Sequence, residues 1–299
     1  MKVRTASEAD FGPIAALVAR DEEHLLGRPS RIGVDDVRAW LHSTDLESGT
    51  WLFEEEGGIA AFGWVEPHGE VGIAVGIVRE GAKGRGLGTE LVERSEAALR
   101  EAGVFRIHEI ALAADARALE LLAAHGYREV RRFWEMAIEL GCMPPEPALP
   151  DGMQIAVFRE SDARAFHDAL DEAFQDHWEH HPRPFEEWWD EKRSAPDYDP
   201  TIWFLVRDGD EVAGAVRNDP NRNGGGWVGA LGVRRAWRGR GLGKALLLHT
   251  FRAFHARGVT WVGLGVDAAN ATGATRLYES VGMHVDLEQI VYEKVLERR

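Results

Sequence analysis

Two copies of one short stretch decide the fold. The first is Val78-Arg79-Glu80-Gly81-Ala82-Lys83-Gly84-Arg85-Gly86-Leu87-Gly88. The second, 155 positions later, is Val233-Arg234-Arg235-Ala236-Trp237-Arg238-Gly239-Arg240-Gly241-Leu242-Gly243. In each, a strand-like apolar run ends in a basic, glycine-punctuated turn and opens into an amphipathic segment. Successive backbone N–H groups in such a turn, aimed along a helix N-terminus, make a site for phosphate. Two similar halves, with a phosphorylated ligand in at least one, are therefore expected.

Outward from the turns, the halves read alike. Upstream lie strands at Thr50–Glu56, Ile59–Glu66 and Val71–Val78, and at Ile202–Arg207, Glu211–Asn218 and Trp227–Val233. The turn signals Gly57-Gly58, Asp208-Gly209 and Asn223-Gly224-Gly225 separate them, as hairpins require. Downstream, residues recurring at helical spacing on one face (Leu91, Ser95, Ala98 and Leu99; Leu246, Leu247, Thr250 and Phe254) predict long helices that stop at Gly103 and Gly258. A strand follows (Arg106–Leu112; Thr260–Val266), then a helix ending at Gly126 or Gly282, then a last strand. Short strands at Val3-Arg4-Thr5 and Gln154–Phe158 open each half, with Ser7 and Ser161 as helix N-cap candidates. The order β, α, α, β, β, β, α, β, α, β, repeated, predicts an α/β (α+β) chain: two tandem domains, each a mixed, mostly antiparallel sheet flanked by helices.

The segment Gly141–Gly152 (GCMPPEPALPDG) packs four prolines between apolar runs and reads as an extended linker. It divides the 299 residues into domains at 1–140 and 153–299. A formal net charge of −15 argues against nucleic acid, whose phosphates need a basic partner surface, and leans toward amine-bearing substrates. The single cysteine, Cys142, excludes an intramolecular disulfide and a multi-cysteine metal site. No apolar run approaches membrane-spanning length and the N-terminus lacks a signal-peptide core, so a cytoplasmic protein without membrane or metal is expected.

The turns fail two phosphate-binding templates. Gly243-Lys244 is followed by Ala245, so a P-loop would lack its Mg²⁺-binding hydroxyl, and the glycines run G-x-G-x-G rather than G-x-G-x-x-G. Arg238, Gly241 and Gly243 do fit R-x-x-G-x-G at a strand–helix junction. Together with Asn270, Leu277-Tyr278-Glu279 and Gly282 in this order of elements, the pattern closely resembles the GNAT superfamily of acyl-CoA-dependent N-acyltransferases, as two tandem copies covering nearly the whole chain. The resemblance implies acetyl-CoA as acyl donor and an amine of a small molecule or peptide as acceptor. It implies that the turn residues Arg238, Gly239, Arg240, Gly241, Gly243 and Lys244 hold the CoA pyrophosphate. Leu231, Val233 and Asn270 would line the pantetheine arm, and Tyr278 would protonate the departing thiolate.

By the same resemblance the halves are unequal. The position four before Gly126, matching Tyr278, is Leu122, which has no proton to give; no Asn stands where Asn270 does; and Lys83 replaces the arginine. Catalysis is therefore assigned to the second half. In the first, Val78, Lys83, Gly84, Gly86 and Gly88 form a second candidate CoA site or simply preserve the fold. A neutral amine is needed for attack, hence a general base. The strand Trp227–Leu231 carries no carboxylate, so Asp267 is the first candidate, with a helix-capping role as its alternative. His177, Trp178 and His181, in a proline-bounded loop, are candidates for the acceptor site. A non-catalytic acyl-CoA sensor is the competing class, and Tyr278 speaks against it.

Overall fold

The structure is a computed structural model that describes residues 1–175, 177–178, 182–195, 197–270 and 273–297. The first half runs β1 (Lys2–Arg4), α1 (Phe11–Leu26), α2 (Val34–Trp40), α3 (Leu46–Gly49), β2 (Thr50–Glu55), β3 (Gly58–His68), β4 (Val71–Val78), α4 (Leu87–Glu101), β5 (Arg106–Leu112), α5 (Ala116–Ala124) and β6 (Arg128–Glu139). The second runs β7 (Met153–Val157), α6 (Ala163–Phe174), α7 (Phe185–Ser194), β8 (Phe204–Asp208), β9 (Glu211–Arg222), β10 (Gly225–Val233), α8 (Leu242–Ala256), β11 (Trp261–Asp267), α9 (Ala274–Glu279) and β12 (His284–Val295). The expected order holds in both halves, with the single-turn α3 added in the first. Two local details differ. Ile202 closes a short 3₁₀ turn begun by Pro200, so β8 starts later than expected. Ser7 stands at the N-cap as expected, with Asp10 accepting from its N–H at 2.8 Å, whereas in the second half Arg159 rather than Ser161 holds that position and Asp162 accepts from its N–H at 3.1 Å.

The chain forms two compact units, whose bounds differ from the 141–152 division. One comprises Met1–Phe133 with Leu287–Arg299, the other Trp134–Asp286. In the first, the sheet order is β1-β2-β3-β4-β5-β12, antiparallel except for the parallel β4–β5 pair; residues from Gln289 of β12 run antiparallel to β5. In the second it is β7-β8-β9-β10-β11-β6, with β10–β11 parallel. Each unit thus takes its sixth strand from the other half of the sequence. The linker reading missed this because a strand's apolar pattern marks which face it buries, not which strand it pairs with.

In the second unit the core lies on both faces of the sheet. Leu246, Leu247, Phe251 and Phe254 of α8 are buried against Val262 and Leu264, and Phe166 of α6 packs against Trp203 with ring centroids 5.5 Å apart. Gly226 lets α8 approach: a Cβ there would stand 2.7 Å from the Phe254 ring. In the first unit Leu91 and Leu99 of α4 close on β3 and β4 through glycines at 63 and 72, where a Cβ would overlap the leucine side chains.

Candidate active site

The parallel pair in each unit opens into a fork. β10 pairs with β11 at Gly226↔Val262, Trp227↔Gly263 and Val228↔Leu264 and no further, while its other edge follows β9 to Val233↔Gly214. A bulge between Val228 and Ala230 marks the parting point. Beyond it Leu231 and Val233, both half-buried, present backbone groups toward the opening, as an extended arm lying along the strand requires. In the first unit β4 and β5 part after Ala74↔Glu109.

At the mouth of the second fork, Gly239 (φ +76) and Gly241 (φ +81) adopt the left-handed conformation, as do Gly84 (φ +78) and Gly86 (φ +84) in the first. A Cβ at any of these four would meet nothing within 4 Å, so backbone conformation, not crowding, selects glycine. The first bond of α8 runs from the Ala245 N–H to the Gly241 carbonyl at 3.0 Å. The N–H groups of Leu242, Gly243 and Lys244 precede it and find no acceptor among the described residues. Arg238 braces the turn, Nε donating to the Val233 carbonyl at 3.1 Å and Nη2 to the Ala173 carbonyl at 3.3 Å. No carboxylate pairs with Arg238, Arg240 or Lys244 among the described residues, and all three are exposed. Bare donors plus uncompensated cations suit a diphosphate.

The first unit treats the same turn differently. Lys83 Nζ stands 3.0 Å from Asp21, 3.1 Å from Asp115 and 3.4 Å from Glu80, and Arg85 pairs with Glu55 at 2.9 Å. The turn's positive charge is spent on carboxylates before any ligand arrives.

Tyr278 lies on α9, buried at 8% exposure. Gly243 admits its helix, since a Cβ there would be 3.0 Å from Leu277 Cδ2. Burial pushes the phenol up to about 12, so it stays protonated across the neutral range. Leu122, at 4% exposure, takes the matching place in the first unit. Asp267 ends β11, where its Oδ1 accepts from the Ala269 N–H at 2.9 Å and its carbonyl from the Asn270 N–H at 3.0 Å. Its carboxylate thus accepts within the turn after β11, whereas Gly273 stands at the N-cap of α9. The His177 ring lies 4.3 Å from that of Phe174, next to the half-buried Trp178; His181 falls outside the described residues.

One pair escaped the sequence reading. Asp219 and Arg217 of β9 face Trp227 and Ala230 across the bulge and are paired to each other. A Cβ on Gly229 would collide with Arg217 Nη2 and lie 2.8 Å from Asp219 Oδ2. A buried carboxylate therefore rests on the residue at which the fork opens. Its signal in the sequence is the spacing of Arg217 and Asp219, two apart and so on one face of the strand.

A cradle of glycine-turn amides, a forked parallel pair and tandem duplication define a class, and sequence comparison agrees. The sequence model of the acetyltransferase (GNAT) family matches residues 17–127 and 163–283, and the chain belongs to that family, as an acyl-CoA-dependent N-acetyltransferase. Among particular proteins, it is 31% identical over 247 residues to a mycothiol acetyltransferase of Thermobispora bispora, covering 79% of this chain and 80% of the relative. A mycothiol acetyltransferase of Thermomonospora curvata is 32% identical, with 80% of each chain covered. The fold superposes on a GCN5-related N-acetyltransferase from Sphaerobacter thermophilus with a TM-score of 0.88 at 33% identity, over 99% of this chain and 96% of the other. A tandem GNAT protein of the clavulanic acid biosynthesis pathway shares the fold at 15% identity, with a TM-score of 0.76 over 100% and 99% of the two chains. Among the described residues no helix is long and apolar enough to cross a membrane.

Proposed function

We propose that the second unit transfers an acetyl group from acetyl-CoA to the primary amine of a small molecule or peptide. The observation that carries it is the second fork, whose glycine turn keeps free donors and unpaired cations beside Tyr278, while the first turn is neutralised and has Leu122. Arg238 to Lys244 would hold the diphosphate, and Leu231, Val233 and Asn270 the arm. Bound acetyl-CoA supplies an activated thioester. The Leu231 amide, past the bulge, is the donor for charge developing on the thioester oxygen.

Tyr278 serves the leaving sulfur. A thiol titrates near ~8.5, so full transfer from a phenol held at about 12 runs uphill by roughly 5 kcal/mol. Tyr278 is therefore a hydrogen-bond donor to the developing thiolate more than a completed acid. The base has two candidates. Asp267 is tied into its turn, whereas Asp219 lies over the bulge and can take the amine proton directly or through water.

The mycothiol acetyltransferase relatives favour a finer reading, in which the acceptor is a cysteinyl amine on an aminosugar–inositol; Trp227, in place of the strand-borne Glu of that enzyme, is the departure from it. Both readings are tested by free-CoA release from acetyl-CoA with a panel of amines that includes this acceptor. Tyr278→Phe should lower kcat by about 10²-fold with KM for acetyl-CoA unchanged. Tight CoA binding without turnover on any amine would leave a sensor as the correct class.

A further inference from the structure

The first unit holds a cavity of about 460 Å³ in its own fork, beneath the start of α4. Its walls are apolar: Ile77, Val78, Leu91, Val92, Leu121 and Leu122. Its buried polar side chains are Ser95 and Glu109, the latter on the last paired rung before β4 and β5 part. The same rung in the second unit ends on Leu264, within the apolar core. Glu109 is 5% exposed and has no hydrogen-bond or ion-pair partner among the described residues. Leaving a carboxyl so placed costs more than burying an apolar side chain of similar size, so a ligand that satisfies it gains that difference. At the mouth, Asp21 and Asp115 flank Lys83 and consume its charge. Thr89 stands where the second unit has Lys244. A diphosphate entering here would meet carboxylates, not free cations.

We propose that this cavity is a binding site for a primary amine with a short apolar body, its ammonium seated on Glu109, and that it does not accept acyl-CoA. The apolar walls take the body, and the mouth, whose cations Lys83 and Arg117 are already paired with carboxylates, offers an entering anion no free charge. Burial, with the Glu96 carboxylate adding to it, pushes Glu109 up to about 8, so the free site carries a proton at neutral pH. An entering R–NH₃⁺ displaces that proton to the buffer and leaves an ammonium–carboxylate pair. The site stands apart from the transfer chemistry and does not depend on which amine is acetylated.

Calorimetric titration of the full chain at neutral pH tests this, with n-hexylamine as probe, 1-hexanol as its neutral match, and CoA. Running each in phosphate and in Tris separates proton release from binding heat. Hexylamine should bind at a Glu109-dependent site with close to one proton released, and at least about tenfold more tightly than hexanol. Glu109→Gln, and independently Glu109→Leu, which copies the second unit, should abolish both the site and the proton release. CoA should bind once per chain and equally well in all three proteins. Absence of hexylamine binding, hexanol binding as tightly, a hexylamine isotherm unchanged in both variants, or two CoA molecules per chain would each overturn the assignment.

Discussion

Glu109 makes a quantitative prediction about stability that needs no ligand. In the unfolded chain a glutamate titrates near its ordinary 4.5; in the folded unit burial holds it to about 8. Between these values the folded state keeps a proton that the unfolded state has lost, so stability is full below pH ~4.5 and falls as pH rises through about 8. Each pH unit in that window removes about 1.4 kcal/mol, roughly 3 kcal/mol by pH 7 and about 5 kcal/mol in all. Glu109→Gln keeps the shape and cannot ionise, so it should not pay this penalty. Urea unfolding of wild type and Glu109→Gln at a series of pH values from 5 to 9, each as a difference between the two proteins, cancels every other carboxylate. The variant should gain on wild type by several kcal/mol across the series, with about two thirds of the gain accrued by neutral pH. Parallel stability curves would refute the picture of Glu109 as a buried, unpartnered acid.

Three further outcomes follow from the two turns and the fork. Gly241→Glu sets a carboxylate against the diphosphate donors at a position with φ +81 and should abolish CoA release, whereas Gly86→Glu should leave transfer largely intact; equal losses would contradict placing catalysis in the second unit. Asp219→Asn should lower kcat/KM by about 10²-fold, while Asp267→Ala, which removes the bond to the Ala269 N–H, should cost about 1 kcal/mol of stability, measured by thermal unfolding, and leave kcat/KM within a few-fold of wild type. Lys83→Met removes the ammonium held between Asp21 and Asp115 and should destabilise the first unit by about 3 kcal/mol, less at low pH where those carboxylates take up protons.

The element order and both glycine turns were legible because they are local: left-handed turns demand glycine, and helices announce themselves by spacing. Tyr278 and Leu122 could be told apart once the two copies were aligned on Gly282 and Gly126. What stayed hidden depends on partners distant in sequence. The bulge brings Asp219 onto Gly229 from another strand, and Lys83 loses its charge to Asp21, more than sixty residues upstream. Glu109 was half legible. In Ile107-His108-Glu109-Ile110-Ala111 it shares a strand face with Ile107 and Ala111, and an acid on a buried face calls for an explanation.

The exchange of final strands bears on how such a chain can change over time. The unit that carries Tyr278 owes its sixth strand to residues 134–139, encoded ahead of the proline-rich segment, and the unit without it owes its own to residues beyond 286. A deletion that removed the first half would leave β11 with an open edge, inviting pairing with other chains. The division of roles proposed above therefore gives no freedom to discard the first copy, which topology retains whatever chemistry it performs.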